Sequence, residues 1–315
     1  IIPHTGIFKW NLKIFLRSPC GRAEAAASFD ICVTFYIMDR AVGCMYKGGC
    51  AMEKRVCLIT GGTSGIGKYT ALAMRSAGYA VFEISRRTDG IDGIFHISAD
   101  ITDEGAVQQA VSAVLSQAGR IDVLINNAGF GISGAIEFTQ TEDAKRQFDV
   151  NFFGMVNMNR AVLPIMRRQR CGKILNISSV AAMIPIPFQA YYSAAKAAIN
   201  SYTLALAGEI RPYGIQGGAI QPGDIKTGFT AARRKSLEGD DVYGGRIGRS
   251  ISVMEQDEQA GMPPEAVARK ICAALKKKRL RPVTTVGSRY RLICAAAKLL
   301  PASLLNRIVS KIYAA

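Results

Sequence analysis

From residue 54 onward, short apolar runs alternate with stretches in which apolar residues recur at helical spacing. The runs at 54–60, 80–84, 95–98, 121–125, 173–177, 215–220 and 282–286 read as strands, and 66–77, 103–117, 192–210 and 264–277 as helices. A longer helix is predicted from Thr141 as N-cap, with Glu142 and Asp143 in its first turn, to about residue 166, where Pro164 bends its end. Strand and helix in strict alternation predict one α/β domain, a doubly wound parallel sheet with helices on both faces. Residues 224–263 are glycine-rich, mixed in charge and without a clear period. They read as a solvated loop or a mobile lid, and their place directly after a Pro-Gly turn favours the lid. No repeat of solenoid type is present.

The first 51 residues do not share this pattern. They show no sustained period, and they hold the one tryptophan, Trp10, and four of the eight cysteines: Cys20, Cys32, Cys44 and Cys50. Met52 directly precedes the first predicted strand, as an initiator would. The expected organisation is an N-terminal extension at 1–51 that precedes the native start, a domain at 52–286, and C-terminal amphipathic helices at 287–315. A targeting segment is the alternative reading of the extension, but residues 29–38 are interrupted by Asp30 and too short to span a bilayer.

Candidate chemistry lies in two places. Tyr192 and Lys196 stand four apart at the start of an alanine-rich run, so a helix puts both on one face. A phenol titrates near 10, and a neighbouring ammonium lowers that value toward general acid/base work. Tyr191 has Ala195 in the equivalent place and lacks the cation. Ser179, at the end of the 173–177 run, offers a hydroxyl that could hold a substrate carbonyl beside the phenol. By itself a Tyr-x-x-x-Lys pair is most often two residues sharing a helix face. The second place is Thr60-Gly61-Gly62-Thr63-Ser64-Gly65-Ile66-Gly67, between a strand and a helix. Strand, glycine turn and helix in that order form a pyrophosphate cradle, because glycine lets the backbone approach phosphate and the helix start supplies free N–H groups.

With these motifs, residues 53–286 resemble the short-chain dehydrogenase/reductase family. The glycine turn, Asn126-Asn127-Ala128-Gly129, Ser179, Tyr192-x-x-x-Lys196 and Pro222-Gly223-Asp224-Ile225-Lys226-Thr227 occur in the family's order. The resemblance implies a Rossmann-type fold and a catalytic set of Asn151, Ser179, Tyr192 and Lys196. It implies hydride transfer between nicotinamide and a carbonyl carbon, with Tyr192 as proton donor, Ser179 on the oxygen, and Lys196 on the nicotinamide ribose. Cofactor contacts are expected from Thr60, Gly61, Thr63, Ser64, Gly65, Ile66, Gly67, Asn127, Ala128, Gly129, Pro222, Gly223 and Ile225. Asp100 and Ile101 would flank adenine, and Thr227 the carboxamide. At the end of the second strand, Ser85 stands where NAD-preferring relatives carry an acid, and Arg86 follows, so NADP(H) is expected over NAD(H). Two points temper that expectation: Arg86 and Arg87 also suit a surface turn, and Ser64 replaces the basic residue that many NADP-preferring relatives carry.

Composition narrows the rest. Nearly half of the residues are apolar (49%) and a fifth charged (20%), which suits a globular chain with a core. His4 and His96 are the only histidines, which nearly excludes histidine triads and multi-histidine metal sites, so no metal is expected. No Cys-x-x-Cys pair is present, and a reducing cytoplasm is the expected location. The net charge of +16 is concentrated at the C-terminus, where Glu265 is the last acid. Such a surface suits anionic lipid or an acidic carrier protein, and nucleic acid last, since no nucleic-acid motif accompanies it. Two predicted helices there carry apolar stripes, Tyr290, Ile293, Ala297 and Leu300 in one and Leu305, Ile308, Val309 and Ile312 in the other, beside Arg291, Lys298, Arg307 and Lys311. The stripes dock either on a membrane surface or on protein, the body itself or a sister subunit in a homo-oligomer. The expected substrate is a lipophilic ketone or secondary alcohol of steroid, retinoid or acyl-lipid type. The alternatives are a 3-oxoacyl group on an acyl carrier protein, which Arg167, Arg168 and Arg170 could meet, and a non-catalytic dinucleotide sensor.

Overall fold

The computed structural model describes residues 54–314. The proposed extension and the start at Met52 lie outside the described residues. Seven strands form one parallel sheet: β1 (Val56–Thr60), β2 (Ala80–Ser85), β3 (Phe95–Ser98), β4 (Val123–Asn126), β5 (Gly172–Ile177), β6 (Ile215–Pro222) and β7 (Val283–Val286), in the order β3-β2-β1-β4-β5-β6-β7. Every residue of β1 and β4 is buried. This is why the central strands read as unbroken apolar runs: both faces of a parallel sheet are covered.

The pleat of β1 divides the core in two. Leu58 joins the cluster that α2 (Glu104–Ala118), α4 (Gly154–Gln169) and α5 (Ala190–Ile210) build on one face, with Val107, Val111, Met158, Val162 and Leu206. Cys57 and Ile59 point to the other face and meet α1 (Gly65–Ser76) and α7 (Pro264–Lys276) through Ala71, Met74, Val267 and Ile271. Strand order reverses between β1 and β4, and a crevice opens at the carboxyl ends of strands at such a switch point.

Two expectations need correction. The helix predicted from Thr141 to about 166 is α3 (Thr141–Phe148), a π-helical turn (Asp149–Phe153) and α4, and Gln140 rather than Thr141 is the N-cap. Pro164 lies inside α4. The region at 224–263 is not a plain loop. It holds a single turn (Phe229–Ala232), a two-residue strand (Arg234–Lys235) paired with Ile132–Ser133, and α6 (Arg246–Gln259). Ile247, Ile251 and Met254 are the apolar residues that α6 buries, a spacing of i, i+4, i+7 that is sparse among charged neighbours. Of the apolar stripes of α8 (Ser288–Ala297) and α9 (Ala302–Tyr313), Tyr290, Ile293, Leu305, Ile308, Val309 and Ile312 wall the central cavity.

Candidate active site

The cradle forms where β1 turns into α1. Gly61 (φ 64°) and Gly65 (φ 50°) take left-handed backbone, and a Cβ on Gly67 would stand 2.1 Å from the Gly61 carbonyl oxygen. Ser64, the N-cap of α1, makes no side-chain cap, and the first turn carries no acid. The helix therefore presents free N–H groups and an unopposed positive dipole end to the crevice, and these residues fit a dinucleotide pyrophosphate. The turn is tied to β4 by hydrogen bonds. The Thr60 hydroxyl accepts the Asn127 and Ala128 N–H groups, each at 3.0 Å, and Asn127 Nδ2 donates to the Thr60 and Gly61 carbonyls at 3.1 Å.

Glu83 is a residue that sequence reasoning missed. It is fully buried in β2, and its carboxylate accepts the Gly62 N–H at 3.0 Å and the Ser85 hydroxyl at 3.1 Å, while His96 Nδ1 bonds the same group. One side chain thus positions the glycine turn and the end of β2 together. Truncating it would orphan a buried N–H, at a cost of about 1–3 kcal/mol. The signal in the sequence was an acid in an otherwise apolar strand.

Tyr192 and Lys196 sit on the first turns of α5. The Ser179 hydroxyl hydrogen-bonds the Tyr192 phenol and accepts the Ala181 N–H at 3.1 Å. Burial pushes Tyr192 up to about 12, against the lowering effects of the Ser179 bond and the Arg233 charge. Lys196 Nζ donates to the Ile177 carbonyl at 2.8 Å, and burial brings its value down to about 8. The expected lowering of the phenol by Lys196 does not prevail here: desolvation dominates, and the ammonium is engaged with backbone. Asn151 lies on the π-helical turn, where its side chain clasps Phe130, accepting from the N–H and donating to the carbonyl at 2.9 Å each. A π-bulge re-aims a side chain locally, which helical periodicity cannot foretell. A Cβ on Gly129 would meet Asn151 Oδ1 at 3.0 Å and Lys196 Nζ at 3.8 Å, so the three converge.

A cavity of about 1010 Å³ joins these parts. Of the predicted residues, Gly61, Thr63, Ser64, Gly65, Ile66, Ser85, Arg86, Asp100, Ile101, Asn127, Ala128, Gly129, Ser179, Tyr192, Lys196, Pro222, Gly223, Ile225 and Thr227 face it. Thr60, Gly67 and Asn151 stand behind the wall as buried supports, and Tyr191 does not face the cavity. Arg86 lies 4.0 Å from Asp100, and both are substantially exposed, so the pair adds little stability. Behind Lys196, Asn126, Asn159, Asn176 and Thr203 form a buried chain of hydrogen bonds at 2.8–2.9 Å between β4, β5 and the flanking helices. Among the described residues, no group of His, Cys, Asp and Glu is arranged to hold a metal.

A sheet with this switch point, a glycine cradle and a Ser, Tyr and Lys group in one cavity define a nucleotide-dependent oxidoreductase. The family model for short chain dehydrogenases matches residues 55–238. The 3-ketodihydrosphingosine reductase of Bacteroides thetaiotaomicron is 41% identical over 250 residues, covering 78% of this chain and 93% of that protein. Among solved structures, a short-chain dehydrogenase from Streptomyces avermitilis superposes with TM-score 0.71 at 30% identity, over 82% of this chain and 98% of that one. ElxO with NADP bound gives TM-score 0.63 at 28% identity, over 76% and 99%. The chain belongs to the short-chain dehydrogenase/reductase family and is an NAD(P)-dependent oxidoreductase.

Proposed function

We propose that the protein reduces a long-chain lipid ketone with NADPH, and that 3-ketodihydrosphingosine is the leading candidate. The observation that carries this reading is the mixed character of the cavity. Ser179, Tyr192 and Lys196 lie at one side, and Ile293, Leu305, Ile308 and Ile312 of the two C-terminal helices line another. A polar reacting end and an apolar channel for a chain suit a lipid better than a soluble metabolite. The 41% identity to a sphingoid-ketone reductase supports the same class. NADPH is favoured because Arg86 and Arg87 face the cavity where Ser85 leaves room for a ribose phosphate.

When bound, nicotinamide supplies the hydride for the carbonyl carbon. The chain's own residues do the remaining work. A phenol held up to about 12 stays protonated at neutral pH, so Tyr192 is set to donate its proton to the substrate oxygen. Ser179 orients that oxygen through its hydroxyl. Lys196 would hold the nicotinamide ribose, and Asn151, through Phe130, keeps the Gly129 backbone in place beside it.

The rim of α8 and α9 would rest on an anionic lipid surface and receive the substrate from it. Leu292 (73% exposed) and Leu299 (86%) stand out among Arg291, Lys298, Arg307 and Lys311. Among the described residues no helix is long and apolar enough to cross a membrane. The test of the activity is NADPH oxidation with ketones of graded chain length. Rising kcat/KM with chain length is expected, and turnover restricted to short soluble ketones would overturn the reading.

A further inference from the structure

Glu83 and His96 are register partners on the adjacent strands β2 and β3, so their side chains stand together on one face of the sheet. The Glu83 side chain is fully buried and that of His96 is 15% exposed. The carboxylate accepts the Gly62 N–H through one oxygen and the Ser85 hydroxyl through the other, and His96 Nδ1 bonds the same oxygen as Ser85. On the far side of the ring, Nε2 lies 3.0 Å from the Arg87 carbonyl oxygen. The loop after β2 packs on this side chain, since a Cβ on Gly90 would stand 2.5 Å from His96 Cβ. Arg86 and Arg87 of that loop face the cavity at the end of β2, where a dinucleotide fold places the adenine ribose.

Both ring nitrogens therefore meet acceptors. A neutral imidazole has one N–H and one lone pair, so it satisfies Glu83 or the Arg87 carbonyl and sets a lone pair against the other. Both bonds form together only when Glu83 and His96 share one more proton. Two other donors converge on Glu83 and favour its ionised form, which leaves that proton on the imidazole. The other charged side chains on the elements around the ring are Arg86, Arg87, Asp89 and Asp92 of the loop and Arg75 of α1, whose Nη1 donates to the Asp92 carbonyl at 2.8 Å. Asp100, beyond the end of β3, stands 4.0 Å from Arg86.

We propose that His96 is a positioning residue for the ribose phosphate of NADPH: bonded to Glu83 and to the Arg87 carbonyl at once, it holds the arginine loop in the conformation that receives the phosphate. The inference rests on the NADPH reading above. Because both bonds need the extra proton, cofactor choice is linked to pH. Loss of that proton frees the Arg87 carbonyl, loosens the loop and weakens the phosphate site. The glycine cradle, tied to β4 through Thr60 and Asn127, keeps its hold on the pyrophosphate. By reciprocity, a bound ribose phosphate holds the proton on the pair.

Two measurements on the full chain test this. The first follows the dissociation constants of NADPH and NADH by fluorescence titration from about pH 6.5 to 8.5, within and above the range where imidazoles titrate. The ratio of the NADH constant to the NADPH constant should fall by about fivefold or more as pH rises. Ionisation of the phosphate itself, at about pH 6, works in the opposite sense. Lys196, brought down to about 8, serves both cofactors alike and cancels in the ratio. In His96→Gln, whose carboxamide does not titrate, the ratio should be flat. A wild-type ratio that favours NADPH but ignores pH, or that changes equally in His96→Gln, overturns the role of His96 and leaves the NADPH reading intact. A wild type that favours NADH throughout overturns that reading and this inference together. The second measurement reads the rings by NMR in the cofactor-free protein, where His4 and His96 are the only histidines. Adenosine 2′,5′-bisphosphate should move the titration of one histidine to higher pH, and adenosine 5′-monophosphate should not. Equal effects of the two nucleotides on both histidine signals overturn the linkage, whether or not the variant folds.

Discussion

The floor of the cavity and its roof are built in opposite ways. The floor, where β1, β2, β4 and β5 end, is fixed by buried hydrogen bonds: Thr60 to Asn127 and Ala128, Glu83 to Gly62, Asn151 to Phe130 and Lys196 to Ile177. The roof, where α8 and α9 close the cavity, is held by few side-chain hydrogen bonds, among them Tyr290 to Asp224, Tyr313 to Asp257 and Arg246 to the Ala314 carbonyl. Its apolar side chains remain part exposed, with Ile308 at 43% and Ile312 at 54%. Buried polar bonds are directional and impose one geometry, whereas apolar contacts fix location without orientation. The floor can therefore hold reacting atoms in register, and the roof can adapt to a flexible chain.

If this division holds, substitutions in the floor should strike turnover and cofactor choice, and substitutions in the roof should strike only capture of the lipid. The largest effect is expected for Tyr192→Phe, which removes the proton donor and should lower kcat by at least about a thousandfold while NADPH affinity, read by fluorescence titration, changes little. Tyr191→Phe, outside the cavity, should stay within about twofold. Equal losses in the two variants would break the assignment. A smaller change, about ten- to a hundredfold in the ratio of kcat/KM values, is expected when Ser85→Asp is combined with Arg86→Ala. The new carboxylate repels a ribose phosphate and favours the free hydroxyls, so preference should move from NADPH toward NADH. A wild type that already prefers NADH would refute the role of Arg86. The smallest effect should come from the roof. Leu292→Ser with Leu299→Ser should weaken co-sedimentation with anionic vesicles several-fold and leave reduction of a detergent-dispersed ketone near the wild-type rate. Rising salt should release the wild type too, since the basic residues contribute by attraction that salt screens. Full-length protein that stays in the supernatant at low salt would remove the membrane from the picture and leave α8 and α9 as cavity walls alone.

Local pattern sufficed wherever the physics is local. Unbroken apolar runs mark strands covered on both faces, and the glycines between β1 and α1 mark a turn that no residue with a Cβ could make at Gly67. The pair Tyr192 and Lys196 follows from helical geometry over a single turn. The parallel sheet, the crevice and the glycine cradle were legible on those grounds. Other features depend on residues far apart in the chain. The role of Glu83 arises because β2 lies beside β1, which puts its carboxylate under the Gly62 N–H. The π-turn at Asn151 interrupts what the sequence alone reads as one helix, and α6 hid behind a few apolar residues among charges. The phenol's high value was equally invisible, since the chain order of Tyr192 and Lys196 says nothing about how deeply both are buried. The C-terminal stripes were read correctly as amphipathic. Which surface they cover was decided by tertiary structure, because an apolar face specifies that something must cover it and leaves open what does.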